Sequence, residues 1–386
     1  MKTYRVLFVT SKSLGGSGKY ISVLAEALKS RGVICDLIYF PLGVQQDAEI
    51  ESSFVRTYHF ATPPGLSPLV CWRNALQVRR LLKTVKYDIV HTHTSLGGTM
   101  GRLGALMARQ HGLFVGHTIH AYGADEFTPI PQKWFYWVIE RAFDNLTDGY
   151  VSPSNYMVQY GGRTHLITTK KATVIYNSLP LKSPADDRSD QRARIRGRLG
   201  IKDNVSLMLF CGRLERQKGV DVILEAMGRL KLADRIYLVV CGVGDDEPKL
   251  KEMALQLGIH ASISWEGWQS DVSAYYAAAD MYVMPSRWES FGLVFLEAMN
   301  YSLPVLSTNV QAIPEVVVHQ ETGLLCDSDD ASALAENINK MVDDQMFRQR
   351  LGRAGKLRQT NYFKFNNFVD QHVEWYEQAI SMNAGR

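Results

Sequence analysis

Short apolar runs alternate along the chain with stretches whose apolar residues recur every three or four positions. Residues 5–10 read as a buried strand, and residues 17–30, apolar at Ile21, Leu24, Ala25 and Leu28, read as one face of a helix that Gly32 closes. The same alternation predicts strands at 33–40, 88–91, 113–120, 149–152 and 173–176, with a glycine-rich turn and a helix at 101–110 after the strand at 88–91. Residues 181–190 are polar and turn-rich and break the rhythm, a charged helical stretch follows to Leu199, and the alternation then restarts. Strands are predicted at 206–211, 236–241, 262–265, 281–284, 305–307 and 323–326, and helices at 220–231, 249–257, 272–278, 292–300, 331–343, 346–360 and 365–382. Strands alternating with helices imply βαβ units on a parallel sheet. The expected architecture is α/β: two Rossmann-like, doubly wound domains facing a cleft, at 1–182 and 200–362, joined by a linker at 183–199. Ligands of such sheets bind at the carboxyl ends of the strands, so the loops there are where chemistry is sought.

Composition narrows the class. At 386 residues, 46% hydrophobic and 21% charged, the chain is of ordinary globular type, and no apolar run approaches the ~20 residues of a membrane span. The apolar stretch Val6–Val9 is too short for a signal-peptide core, and five scattered cysteines suggest no disulfide framework, so a reducing cytoplasmic setting is expected. The net charge of +4 hides an asymmetry: residues 1–185 hold 20 Lys and Arg against 11 Asp and Glu, the remainder 23 against 28. A basic half suits an anionic membrane, a phosphorylated acceptor or nucleic acid, and scattered solvated charge is the plainer reading. Trp134, Phe135, Tyr136 and Trp137 run in a row beside Lys133, too many aromatics for one helix face, so some are expected either on a lipid surface or in the domain's own core.

Several motifs compete for chemical roles. The first loop, Ser11 to Lys19, holds Gly15 and Gly16 but lacks the glycine and hydroxyl residue that a triphosphate-binding loop needs at positions 13 and 20. It is left as a turn entering a helix, fit for close approach of an anion or a sugar. His91 and His93 alternate along a strand, yet neither an adjacent glutamate nor a cysteine pair supports a metal, and none is expected. His93 and His120 are read instead as strand-end residues. In Asp327-Ser328-Asp329 an aspartate before a helix reads as an N-cap. The sharper signals are Arg213 and Lys218 flanking a loop before a helix, suited to a diphosphate. Beside them stand Glu289 and Glu297, eight positions apart around Gly292, placed to accept hydrogen bonds from sugar hydroxyls.

With these residues the chain resembles the retaining glycosyltransferases of family 4, which have the GT-B fold. The matching stretches are Gly212-Arg213-Leu214 with Lys218-Gly219, and Glu289-Ser290-Phe291-Gly292 with Glu297-Ala298. Echoes elsewhere include Gly15-Gly16, His91-Thr92-His93, Thr118-Ile119-His120 and Asn177. Gln311-Ala312 departs from the family's usual glycine pair, and Asn177-Ser178 from its commoner Asn-Gly. The resemblance implies transfer of a sugar from a nucleotide-diphosphate sugar, a UDP-sugar in first expectation, to an acceptor hydroxyl with retention. The expected setting is bacterial capsule, O-antigen or exopolysaccharide synthesis, and the activity hexosyl or N-acetylhexosaminyl transfer. It implies a catalytic group of His120, Glu289, Arg213 and Lys218. The donor is implied to be bound by Gly15, Gly16, Arg213, Lys218, Gly267, Trp268, Glu289, Phe291, Gly292, Leu293 and Glu297. His93 and Asn177 would lie on the acceptor side, and residues 363–386 would form a helix crossing back onto the N-terminal domain. No metal or other cofactor is implied, the nucleotide sugar being a substrate. The partners are a glycan or lipid-linked glycan acceptor and an anionic membrane surface at the inner face of the plasma membrane, with no nucleic acid. A nucleotide-sugar 2-epimerase of the same fold is the alternative, and a non-enzymatic sugar-nucleotide sensor a more distant one.

Overall fold

The computed structural model describes residues 4–11, 16–40, 45–60, 68–123, 128–181, 184, 188–230 and 235–383. The chain forms two compact units, Met1–Leu179 with Phe365–Arg386, and Pro180–Lys364.

The first unit is built on β1 (Arg5–Val9), β2 (Ile34–Tyr39), β3 (Arg56–His59), β4 (Ile89–His93), β5 (Phe114–Thr118), β6 (Gly149–Ser152) and β7 (Ala172–Val174). They form one sheet in the order β3-β2-β1-β4-β5-β6-β7, every pair parallel. Both faces are covered, so β1 shows no alternation of polar and apolar residues. Val6 and Phe8 pack with the Gly16–Ser30 and C-terminal helices, while Leu7 and Val9 pack with Val78, Leu82 and Met100 on the other side.

The C-terminal helix, Phe365–Asn383, belongs to this first unit. Its Trp375 ring lies 2.5 Å from where a Cβ on Gly116 would sit, so only glycine leaves room for it in β5. Tyr20 and His372 are bonded at 2.7 Å, and His372 Nδ1 lies 2.7 Å from the Phe368 carbonyl. A carbonyl only accepts, so Nδ1 carries the proton and the Tyr20 hydroxyl donates to Nε2.

The second unit holds β8 (Ser206–Cys211), β9 (Ile236–Cys241), β10 (Ile263–Gly267), β11 (Met281–Met284), β12 (Val305–Thr308) and β13 (Gly323–Cys326), in the parallel order β10-β9-β8-β11-β12-β13. The doubly wound α/β expectation therefore holds for both units.

Three expectations need correction. The stretch read as a linker at 183–199 carries its expected charged helix, Arg188–Arg198, but this helix is part of the second unit: Arg192 and Arg196 donate to the Asp280 carboxylate at 2.8 and 3.2 Å. The glycine-rich turn before residue 101 is helical from Ser95. Its glycines serve close packing, since a Cβ on Gly97 would lie 2.6 Å from the Thr10–Ser11 backbone and one on Gly101 2.5 Å from Thr92. Third, the aspartate that caps the Ala331–Asp343 helix is Asp330, whose carboxylate accepts from Ala333 N–H at 2.9 Å, and not one within 327–329. Elements that the periodicity did not predict include β3 and the helices Gln45–Ser52, Pro68–Thr84, Asn155–Arg163 and Ile313–Val316.

Candidate active site

In the second unit the loops after β8 and β11 meet. The chain leaves β8, makes a single turn at Arg216–Lys218, and enters the Val220–Arg229 helix through Gly219 at φ +69°. A Cβ there would collide with the Pro285 carbonyl, so glycine is required both by conformation and by space. After β11, Gly292 at φ +86° opens the Leu293–Asn300 helix, and a Cβ on it would strike the Phe295 ring. The first amides of that helix have no partner within the helix itself, and its dipole favours negative charge there.

Lys218 Nζ donates to Glu289 Oε2 at 2.5 Å, with both side chains largely buried. These two predicted residues are thus brought together beside Gly292. Arg213 is not: its exposed guanidinium donates to Glu215 at 2.7 Å and to Gln217 at 3.2 Å. Glu297 accepts from the Tyr276 hydroxyl at 3.0 Å. Burial, with Glu297 alongside, pushes the Tyr276 phenol well up, so it stays a donor. Phe291 is buried edge-on against Phe363, and Leu293 is half-buried. Gly267, at φ +65°, ends β10, and the Trp268 side chain after it is 57% exposed.

The loops are held by residues to which the sequence reading gave no such role. Arg287 donates both terminal nitrogens to Asp221 at 3.0 and 2.7 Å, its Nε to Asp329 at 2.7 Å, and Nη1 to the Arg216 carbonyl at 2.6 Å. Burial acts to lower this guanidinium's pKa, but the hydrogen bonds to the two aspartates outweigh it and hold it above its ordinary value. Gln217 donates to the Trp288 carbonyl at 2.9 Å, and Gln311, at φ +46°, accepts the Glu289 N–H on its side-chain oxygen at 3.0 Å. A cation inside the Pro285–Gly292 run was the visible signal for Arg287; its partners are distant in sequence.

In the first unit the expected residues fall at strand ends. Gly15 lies outside the described residues, and Gly16 is the exposed first residue of its helix. His93 ends β4, buried and stacked on Phe8 with ring centroids 5.4 Å apart. Its Nδ1 lies 3.2 Å from Nε2 of His120, and among the described residues its Nε2 has no hydrogen-bond partner. His120 stands two residues beyond β5, with Tyr20 edge-on at 5.0 Å, and burial pulls its pKa down to about 4. His91, His93 and His117 are also held well below the ordinary value, first by burial and then by neighbouring histidines, among them His120, with Arg102 acting on His117. These are neutral rings. Both nitrogens of His91 are engaged, Nδ1 with Tyr376 at 2.6 Å and Nε2 with Thr118 at 2.7 Å, which leaves it none for a metal. Among the described residues no group of three or more His, Cys, Asp or Glu is placed to hold a metal ion. Asn177 is buried past β7.

Comparison with known proteins bears on the family and the fold. Residues 14–182 match the family described as Glycosyltransferase Family 4, and residues 191–358 the one described as Glycosyl transferases group 1. A D-inositol 3-phosphate glycosyltransferase of Catenulispora acidiphila is 30% identical over 78% of this chain and 74% of its own. The UDP-Gal:alpha-D-GlcNAc-diphosphoundecaprenol alpha-1,3-galactosyltransferase of Escherichia coli is 27% identical over 88% and 87%. The Anabaena HepE structure, in complex with UDP and glucose, superposes with a TM-score of 0.84 over 97% of this chain and 100% of that one, at 17% identity. These names lend no support to the epimerase alternative. With two doubly wound units, glycine-opened helices beside the Lys218–Glu289 pair, and these matches over both halves, the chain belongs to glycosyltransferase family 4 and has the GT-B fold.

Proposed function

We propose that this glycosyltransferase uses a nucleotide-diphosphate sugar, a UDP-sugar, and transfers a hexosyl or N-acetylhexosaminyl group with retention to an acceptor hydroxyl in the synthesis of a bacterial surface polysaccharide. The observation that carries the reading is the Lys218–Glu289 pair at the opening of the Gly292 helix. Lys218 and Arg213 take the diphosphate, and their stabilisation of it grows as the glycosidic bond breaks and negative charge gathers on the leaving group. Glu289 accepts from the donor-sugar hydroxyls and Glu297 from the ribose. Gly267 and Trp268 border the base, and the amides around Phe291, Gly292 and Leu293 meet phosphate or sugar. On the first unit, Gly15 and Gly16 approach the donor phosphate, His120 the donor sugar, and His93 and Asn177 serve the acceptor side. The leaving phosphate receives the acceptor's hydroxyl proton as the new bond forms on the same face, with neither a protein nucleophile nor a metal. The names of relatives support a UDP-sugar and a lipid-diphosphate-linked acceptor; work at the cytoplasmic face of an anionic membrane is part of the same proposal.

The test is UDP release from a panel of UDP-sugars, with and without glycan and lipid-linked acceptors, in the presence of EDTA. Lys218→Ala and Arg213→Ala are each expected to lose about 10- to 150-fold in turnover, the equivalent of a charge-assisted contact of ~1.5–3 kcal/mol. Wild-type turnover in folded Lys218→Ala, or activity abolished by EDTA and restored by magnesium, overturns the corresponding part. Inversion at the anomeric carbon, read by NMR of the product, overturns retention.

A further inference from the structure

β4 and β5 run parallel in a register that sets His93 beside Thr118, and alternate residues of a strand share a face of the sheet. His91, His93 and Thr118 therefore stand on one face, and His120, two residues beyond Thr118, meets His93 there, Nε2 to Nδ1 at 3.2 Å. The polar neighbours of the pair are committed. His91 gives one nitrogen to Tyr376 and the other to Thr118, and the Tyr20 hydroxyl donates to His372. His93 lies among these groups at 0% exposure with the Phe8 ring stacked on it, and its Nε2 reaches no partner among the described residues. His120 is half-buried, and among the described residues His93 is its one hydrogen-bond partner, so its Nδ1 is not held by any protein group.

Burial keeps both rings neutral near pH 7. One hydrogen bond joins two neutral imidazoles only if one nitrogen gives a proton and the other a lone pair. Two settings satisfy this. If His120 Nε2 donates, the proton of His93 sits on its own Nε2, a buried N–H with nothing to receive it. If His93 Nδ1 donates, its Nε2 is a bare lone pair, and the His120 proton moves to Nδ1, the nitrogen turned away from His93. A buried N–H without an acceptor is the rarer defect in folded proteins, and the second setting avoids it. The hydrogen bond made by one ring nitrogen thus decides which proton the other presents.

We propose that His93 is a positioning residue for His120: by donating from Nδ1 it fixes the His120 proton on Nδ1, so that His120 meets the donor sugar as a hydrogen-bond donor to a hydroxyl oxygen. The inference deepens the proposed function and rests on it for the sugar; the tautomer itself involves no ligand. It also narrows the part of His93, which is buried and serves the site through His120 without touching an acceptor. Long-range proton–nitrogen correlation spectra of the whole chain, labelled in its histidine nitrogens and free of nucleotide sugar, read which nitrogen of each neutral ring carries the proton. The His120 signal is the one lost in His120→Gln, and at neutral pH it should show the proton on Nδ1. His93→Phe keeps the stacking on Phe8 but removes the donor, and should send the His120 proton at least partly to Nε2. With it kcat/KM for the nucleotide sugar should fall about two- to twelvefold, the worth of one neutral hydrogen bond. That fall should vanish in a His120→Ala background, because His93 acts only through that ring. His93→Asn, whose amide stands near the place of Nδ1, should restore the Nδ1 proton and most of the lost activity. A His120 proton on Nε2 in the wild-type chain overturns the proposal. So does an additive loss in the double variant, which makes His93 a packing residue alone. Should His93→Phe fail to fold, the wild-type spectrum and His93→Asn still decide. Sugar transfer by a chain whose His120 carries its proton on Nε2 strikes this inference alone; an Nδ1 proton without transfer from any nucleotide sugar strikes only the glycosyltransferase reading.

Discussion

At the ends of β4 and β5 in the first unit, imidazoles pack ring against ring, His91 and His93 with centroids 4.3 Å apart, roofed by Tyr376 and Trp375 of the C-terminal helix. At the ends of β8 and β11 in the second unit, the corresponding loops carry full charges in pairs, Lys218 with Glu289 and Arg287 with Asp221 and Asp329. The topology is the same and the surroundings are not. A helix from the far end of the chain covers the histidines and removes their water, so protonation is disfavoured and they act as neutral hydrogen-bonding rings. The charged loops lie at helix openings, where each charge has a partner and the dipole adds to the attraction for an anion. The first unit therefore depends on its dry packing, and the second on electrostatic pairing.

The largest expected effect tests the first half of that contrast. Trp375 fills the space left by Gly116 and Gly149 and lies edge-on to Phe114. Trp375→Ala should cost about 3–5 kcal/mol of the first unit's stability. Native-state hydrogen exchange should show β4, β5 and the C-terminal helix losing protection while β8 and β11 keep theirs. Equal loss in both units breaks the comparison.

Acid provides a graded test. His120 and His372 are pulled by burial from the ordinary 6.5 to about 4, and His91, His93 and His117 are also held low. The unfolded chain takes up protons near pH 6.5; in the folded one His120 and His372 refuse them until about pH 4, and the other three are also held well below their ordinary value. Stability from these rings is thus whole above about 6.5 and drains away as the pH falls from there. Asp144 and Glu266, where hydrogen bonds outweigh the upward push of burial, add acid sensitivity only below their ordinary 3.8 and 4.5. Urea midpoints between pH 7 and 5 should fall for the first unit, and His372→Asn should flatten the slope. A wild-type midpoint independent of pH over that range sinks the account of neutral rings.

The contrast also explains what could be read in advance. The second unit's loops were legible because Gly219 and Gly292 occupy left-handed backbone that glycine alone adopts cheaply, and such demands leave a local mark. The first unit's glycines at 97, 98, 101 and 104 look like the same mark, yet they admit neighbouring elements to a helix, a requirement set by the packed partner. The Pro68–Thr84 helix was missed because exposed Leu69 and Trp72 blur the stripe of Ala75, Val78 and Leu82. The edge strand β3 was missed because it buries neither face. Tyr276, Arg287 and Asp329 were not assigned their contacts because these partners meet only when the loops fold together.

The smallest effect concerns how the charged loop is held. Gln311 stands where the family usually has glycine, in a left-handed conformation that costs a non-glycine residue about 1–2 kcal/mol. Its side-chain oxygen accepts the Glu289 N–H at 3.0 Å, and the Ala312 N–H donates to the Glu289 carbonyl at 3.3 Å. Gln311→Gly relieves the strain and removes one hydrogen bond of about 0.5–1.5 kcal/mol, so the two nearly cancel in stability. Gln311→Ala keeps the strain and loses the bond, so it should be the less stable of the two variants by about 1 kcal/mol in urea denaturation. Both leave Glu289 on a looser loop. If Glu289 orders the donor sugar, KM for the nucleotide sugar should rise a few-fold in both variants while kcat changes little. A fall in kcat as deep as that of Lys218→Ala would instead place Gln311 against the reacting sugar. An unchanged KM in both would show that the Lys218 pair alone positions Glu289, and that the neutral tether contributes nothing to the charged site.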